Sequence, residues 1–277
     1  MPDQRTIIVT GCSSGIGGYA ARRLADSGWR VFATARKPED IERLAADGLE
    51  AFYLDYREPE SIEALVEAVL ARTGGRLDAL FNNGSYAQAG AVEDLPVEAL
   101  REQFEVSVFG WHDLTRRIVP AMRAQGHGRI VQCSSILGLV PYPWRGAYNA
   151  AKHALEALTL TMRMELSGSG IHVSLIEPGP IESRFAANGL GYFGKYIDQE
   201  KSVHAAEYRR QIAQLSGGGR KERFRLKPDA VYKALHHALN APRPRTHYIV
   251  TQPAKAGALM KRLLPAAAFY ALLSKWG

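Results

Sequence analysis

Short runs of β-branched and aromatic residues alternate along the chain with longer stretches whose apolar positions recur every three or four residues. Thr6 to Thr10 reads as a buried strand, and Ala20, Ala21, Leu24 and Ala25 mark the face of a helix that stops at Gly28. Arg30 to Ala35 is a second strand. Pro38 then opens a helix carrying Ile41, Leu44 and Ala45, a position where its missing N–H and fixed φ are tolerated. Phe52 to Leu54 is a third strand, and Ile62, Leu65, Val66, Val69 and Leu70 form the next helix face. Leu77 to Phe81, Arg129 to Cys133 and His172 to Ile176 are three more strands, each preceded by a helical pattern, and Tyr248 to Val250 is a last one. Repeated βα units predict an α/β fold with a doubly wound parallel sheet of about seven strands, helices on both faces, and ligands at the carboxyl ends of the strands.

All of residues 1–277 fit one such domain. The stretch from about 184 to 228 departs from the rhythm, with Gly189, Gly191, Gly194 and the run Gly217-Gly218-Gly219 among aromatic and charged residues. It reads either as a lid over a substrate or as a surface excursion. Residues 256–277 form an apolar tail with Lys261, Arg262 and Lys275, interrupted by Pro265. Packing against the body or a second subunit is expected of it before membrane contact.

Net charge is +7, unevenly placed: 15 Lys/Arg stand against 3 Asp/Glu from residue 201 onward, and 20 against 25 before it. The asymmetry fits an acidic partner, a membrane surface, a phosphate-rich ligand or a solvated basic face. No nucleic-acid-binding module accompanies it. The N-terminus lacks a signal-peptide pattern and no window reaches the length of a membrane span, so a cytoplasmic enzyme is expected. Cys12 and Cys133 give no disulfide framework and read as small buried side chains. No metal site is expected, because the eight histidines, including the adjacent His236 and His237, show no zinc spacing. His112 and His153 read as satisfied helix histidines.

The first strand runs into Thr10-Gly11-Cys12-Ser13-Ser14-Gly15-Ile16-Gly17. Gly11 allows a turn closed to a Cβ, and Gly15 and Gly17 let a helix N-terminus approach both the sheet and a pyrophosphate. A glycine loop set between strand and helix points to a dinucleotide. After the second strand stands Ala33-Thr34-Ala35-Arg36-Lys37, with no acid until Glu39. Arg36 and Lys37 suit the 2′-phosphate of NADP(H) better than the ribose hydroxyls of NAD(H), with Ser13 or Ser14 adding a hydrogen bond. Asp55, at the end of the third strand, either accepts from the adenine amine or forms a turn.

Tyr148-Asn149-Ala150-Ala151-Lys152 places a phenol and an ammonium at i and i+4 on one helix face. The ammonium favours the phenolate, so Tyr148 can exchange a proton with an alcohol or carbonyl oxygen. Ser135, thirteen residues earlier at a strand end, can donate to that oxygen, and Ser134 is the alternative.

The glycine loop, Asn82-Asn83, Ser135, Tyr148, Lys152 and Pro178-Gly179-Pro180-Ile181 occur in an order that resembles the short-chain dehydrogenase/reductase family, over about residues 5–185. The loop Gly-Cys-Ser-Ser-Gly-Ile-Gly is similar to that of the 17-beta-hydroxysteroid/retinol dehydrogenase-like branch. The resemblance implies a single-domain Rossmann fold with strand order 3-2-1-4-5-6-7. It implies Tyr148 as general acid/base and Lys152 as the residue that lowers its pKa and binds the nicotinamide ribose. Ser135 would then be the substrate-orienting hydroxyl, with Asn82, Gly84, Pro178 and Gly179 on the cofactor wall. Ile181 and Ser183 would meet the carboxamide. Two departures stand out. Gly84-Ser85 replaces the family's Ala-Gly, and Ser107 stands where the family has a catalytic Asn that bends its helix and holds a water for a proton relay. Serine lacks the amide's reach, so weakened turnover is expected.

The expected function is an NADP(H)-dependent oxidoreductase acting on a lipophilic secondary alcohol, ketone or aldehyde, as a homodimer or homotetramer. Phe185, Tyr192, Phe193 and Tyr196 suggest an apolar pocket. The alternative is a cofactor-binding sensor or scaffold with weak catalysis.

Overall fold

The structure, a computed structural model, describes residues 4–216 and 224–274. Its order is β1 (Thr6–Val9), α1 (Gly15–Asp26), β2 (Arg30–Ala35), α2 (Pro38–Ala46), β3 (Glu50–Tyr53), α3 (Pro59–Arg72) and β4 (Ala79–Asn82). Then come α4 (Val97–Phe104), a π-helical turn at Glu105–Phe109, α5 (Gly110–Gln125), β5 (Gly128–Cys133), α6 (Gly146–Glu165) and β6 (Ile171–Glu177). The chain continues through α7 (Phe185–Tyr196), α8 (Ala205–Ser216), α9 (Asp229–Asn240), β7 (His247–Ile249), α10 (Gln252–Leu263) and α11 (Ala266–Leu273).

All seven strands pair in parallel, in the order β3-β2-β1-β4-β5-β6-β7. Ile7, Ile8, Val9, Leu80 and Phe81 are fully buried, as expected of central parallel strands covered by helices on both faces. The order reverses between β1 and β4, which opens a crevice beyond their carboxyl ends.

The edge strands start earlier than their apolar runs suggest, and their first residues are polar. Glu50 joins β3 because Arg30 of β2 pairs with it at 2.6 Å. His247 joins β7 because Glu177 of β6 holds its ring at 2.5 Å. By contrast, Leu77 stays outside β4: its backbone N–H and C=O bond to the Gln125 side chain instead of the ladder.

Residues 184–216 form two helices with a small cluster of their own, in which Phe193, Ile197 and Tyr208 pack with Ala91. The Gly217-Gly218-Gly219 run lies outside the described residues, as does Lys275. The tail folds as α10 and α11, and Phe269 and Leu273 pack on Val140 of the body. Among the described residues no helix is long and apolar enough to cross a membrane.

Candidate functional site

β1 delivers the chain into a loop that only glycine can make. Gly11 has φ +69°, and a Cβ on it would lie 2.5 Å from the Cα of Gly84. A Cβ on Gly17 would lie 2.3 Å from the Gly11 carbonyl oxygen. Ser14 caps α1 with no side-chain hydrogen bond to its first turn, so the positive end of that helix faces the crevice with N–H groups to offer an anion. These residues fit the pyrophosphate of a dinucleotide.

A cavity of about 640 Å³ runs from this loop to the reacting groups. Gly11, Ser13, Ser14, Gly15, Ile16, Arg36, Asp55 and Gly84 line one end, and Ser135, Tyr148 and Lys152 the other, with Pro178, Gly179, Ile181 and Ser183 along the wall. Arg36 is exposed, and its guanidinium donates to the Tyr192 hydroxyl at 3.1 Å. Asp55 faces the cavity and also makes a turn, accepting from the Arg57 backbone N–H at 3.0 Å. Burial pushes its carboxyl up, but the Arg57 guanidinium outweighs that and holds it below its ordinary value.

Three residues expected at the cofactor do not line the cavity. Lys37 is exposed and pairs with Glu39 at 3.5 Å, away from the cavity wall. Gly17 serves the close packing of α1 on the loop. Asn82 is fully buried behind the cavity, its amide held by the Tyr56 hydroxyl at 3.1 Å and the Thr115 hydroxyl at 3.0 Å. Asn83 stands in the wall instead, its side chain clamping the Thr10 carbonyl at 3.0 Å. The strand ends one residue later than its apolar run, and this alternation turns Asn82 inward.

Tyr148 and Lys152 project from α6, and both are buried. Burial pushes the Tyr148 phenol up, and a hydrogen bond with Ser135 pulls it the other way. In the protein alone, burial therefore outweighs the lowering expected from the lysine. Burial also brings Lys152 down to about 8. Its ammonium donates to the Cys133 carbonyl at 2.9 Å and lies 4.1 Å from the centre of the Trp111 ring, an attraction strongest where water is excluded. Ser135 begins a short helical turn, Ile136–Gly138, and its Oγ accepts from the Leu137 N–H at 3.1 Å. Phe185 meets the Tyr148 ring edge-on at 5.7 Å. Of the other aromatic residues of α7, Tyr192 stacks on Tyr86, Phe193 packs on Tyr208, and Tyr196 donates to Glu102.

Ser107 is fully buried in the π-helical turn, so the helix bends here without asparagine. Its hydroxyl bonds to Ser85 at 2.6 Å and accepts from the Gln103 amide at 2.8 Å. Gln103, one turn earlier and also fully buried, thus brings an amide to the place where the sequence has lost one.

Behind the reacting wall the fold assembles a group that the sequence kept apart. Glu156 follows Lys152 by one turn of α6, Glu177 ends β6, and His247 starts β7; their ligand-type atoms lie within 4.8 Å of one another. Burial and the Glu177 charge raise Glu156 to about 7, against the pull of Ser134, His247 and Lys152. Ser134 therefore faces this group, while Ser135 faces Tyr148. Both cysteines are buried thiols, raised by burial to about 12 at Cys12 and about 11 at Cys133. His153 is satisfied within its helix by the Asn149 carbonyl at 2.8 Å. Trp111 and Arg145 were not foreseen; three residues before Tyr148, Arg145 had no motif to mark it.

The model of the short chain dehydrogenase family matches residues 5–189. Over 262 residues the chain is 40% identical to the uncharacterized oxidoreductase YbbO of Escherichia coli K12, covering 95% of this chain and 91% of the relative. It is 32% identical to human 17-beta-hydroxysteroid dehydrogenase type 1, covering 89% of this chain and 77% of that one. A crystal structure of an actinorhodin polyketide ketoreductase variant with NADPH superposes with a TM-score of 0.74 at 30% identity, over 90% of this chain and 97% of that one. With the family's glycine loop, Ser135, Tyr148 and Lys152 gathered around one cavity, the chain belongs to the short-chain dehydrogenase family and is a dehydrogenase/reductase.

Proposed function

We propose that the protein reduces a lipophilic ketone or aldehyde with NADPH. The observation that carries this reading is the single cavity joining a glycine loop and Arg36 at one end to Ser135, Tyr148 and Lys152 at the other. Arg36 directly follows β2, with no carboxylate beside it in sequence before Glu39, which favours a 2′-phosphate over bare ribose hydroxyls. The ketoreductase structure with NADPH and the steroid-named human relative point the same way.

Bound NADPH would supply the hydride. The Ser135 hydroxyl holds the carbonyl oxygen and donates to it as negative charge builds there. Tyr148, kept protonated at neutral pH by burial, gives its proton to that oxygen. Lys152, fixed by the Cys133 carbonyl and the Trp111 ring, places positive charge beside the phenolate left behind. Helices α7, α10 and α11 cover the cavity with Phe185, Leu190, Ala254 and Leu273, so α7 acts as part of a lid over the chamber.

The test is NADPH oxidation by purified protein against a panel of ketones and aldehydes of increasing apolar area, with NADH in parallel. The reading expects turnover that rises with apolar area and prefers NADPH. Tight NADPH binding with no turnover on any carbonyl would favour a cofactor sensor instead.

A further inference from the structure

The substrate half of the cavity contains a cation, Arg145, that no carboxylate among the described residues pairs with. Arg145 lines the wall beside Tyr142 and Tyr148 and sits at the N-cap of α6, three residues before Tyr148. Burial pulls its guanidinium down from its ordinary value. Its Nη1 donates to the Trp144 carbonyl at 2.8 Å, and among the described residues no carboxylate forms an ion pair with it. One carbonyl oxygen serves a group with five N–H donors. Arg145 is half-buried, and taking even part of a guanidinium out of water is costly where no acid compensates.

The surroundings hold this arginine in place at some expense. Trp144 has φ +63°, the one non-glycine residue with positive φ among the described residues. Its ring packs on His204 and Tyr208, and its carbonyl also accepts from the Gly90 N–H at 3.1 Å. Strain of this kind persists where neighbouring structure over-determines it, and it concentrates at ligand sites. Among the described residues the only acid in the cavity wall is Asp55, which Arg57 already occupies and which lies at the glycine-loop end. The same wall carries the apolar Val140, Phe185, Leu190, Ala254 and Leu273 together with Asn188 and a further arginine, Arg225.

We propose that the substrate pairs an apolar body with an anionic head, a carboxylate, phosphate or sulfonate, and that Arg145 binds this head while the carbonyl lies at Tyr148. The planar guanidinium fork matches all three oxyanions in a two-point contact. The first turn of α6, whose N–H groups are unpaired within the helix, adds its positive dipole end to the same region. This proposal rests on the reductase reading and narrows its substrate class to lipophilic keto or aldehyde acids.

Two measurements on the protein saturated with NADPH test it. The first compares an ω-oxo fatty acid with its methyl ester as substrates for wild type, Arg145→Met and Arg145→Lys. The acid-to-ester ratio in kcat/KM is expected to exceed ten in wild type through KM. It should fall at least tenfold in Arg145→Met and partly recover in Arg145→Lys. The second measures equilibrium binding of decanoate against methyl decanoate to the same proteins, with thermal unfolding as the check on folding. An acid-to-ester ratio that is the same in all three proteins, or decanoate binding indifferent to Arg145, overturns the anion site. Arg145-dependent decanoate binding without turnover on any carbonyl keeps the anion site and removes the reductase reading. Phosphate- and sulfonate-headed analogues, run as further arms, distinguish which oxyanion is preferred.

Discussion

Replacing Glu156 by glutamine should flatten the pH dependence of stability. Glu156 is 5% exposed and lies beside the fully buried Glu177. Two adjacent buried carboxylates cannot both be charged without cost, and Glu156 therefore keeps its proton up to about 7. An unfolded glutamate releases it near 4.5. Between these values the folded protein binds a proton that the unfolded chain does not, so stability falls as pH rises through the window and levels off above it. The gap corresponds to about 3 kcal/mol. Glutamine keeps the shape without the charge, and its amide adds a pH-independent offset, so the quantity to compare is the change between pH 5 and pH 8. Urea unfolding at pH 5, 6, 7 and 8 should show wild type losing about 3 kcal/mol more than Glu156→Gln across that range. For a chain of this size the same difference is about 5–10 °C in Tm. Parallel curves for the two proteins would refute the account of a protonated Glu156.

Gly17→Ala should weaken NADPH binding more than tenfold and lower Tm, because its Cβ would sit 2.3 Å from the Gly11 carbonyl oxygen and one of the two backbones must move; fluorescence titration with NADPH reads it. Arg36→Ala should raise KM for NADPH by about ten- to a hundredfold, the worth of a charge-assisted hydrogen bond, and leave KM for NADH nearly unchanged. An equal effect on both cofactors would count against the 2′-phosphate site. Ser107→Asn should not raise kcat, and should cost about 1–3 kcal/mol of stability, since the fully buried Ser107 hydroxyl already fits between Ser85 and Gln103. A variant with higher kcat than wild type would show that the missing asparagine limits turnover.

The features that local sequence carries were legible. The β-branched runs from Thr6 to Ile176 located the central strands, since buried parallel strands are nearly continuous in apolar residues. The glycine loop was legible because its positions demand φ or proximity that only glycine supplies, and Tyr148 and Lys152 because helical spacing joins them. The features made by long-range packing were not legible. Asn82 ends β4 and is buried in the core, while Asn83 follows the strand and stands in the cavity wall, a difference that only the packed sheet makes. Gln103 bears on Ser107 only through the buried contacts at the helix bend. Trp111 meets Lys152 across two helices. Glu156, Glu177 and His247 span 91 positions and meet only when β7 docks on β6.

The most direct test of the account is single-turnover NADPH oxidation, with the best carbonyl from the panel, by wild type and Tyr148→Phe. Phenylalanine keeps the ring that meets Phe185 and removes the proton that the mechanism requires. The account predicts that NADPH still binds with near wild-type affinity while the hydride-transfer rate falls by at least a hundredfold, the usual worth of a positioned acid. Unchanged transfer in Tyr148→Phe would contradict it, because the proton would then come from a group other than Tyr148.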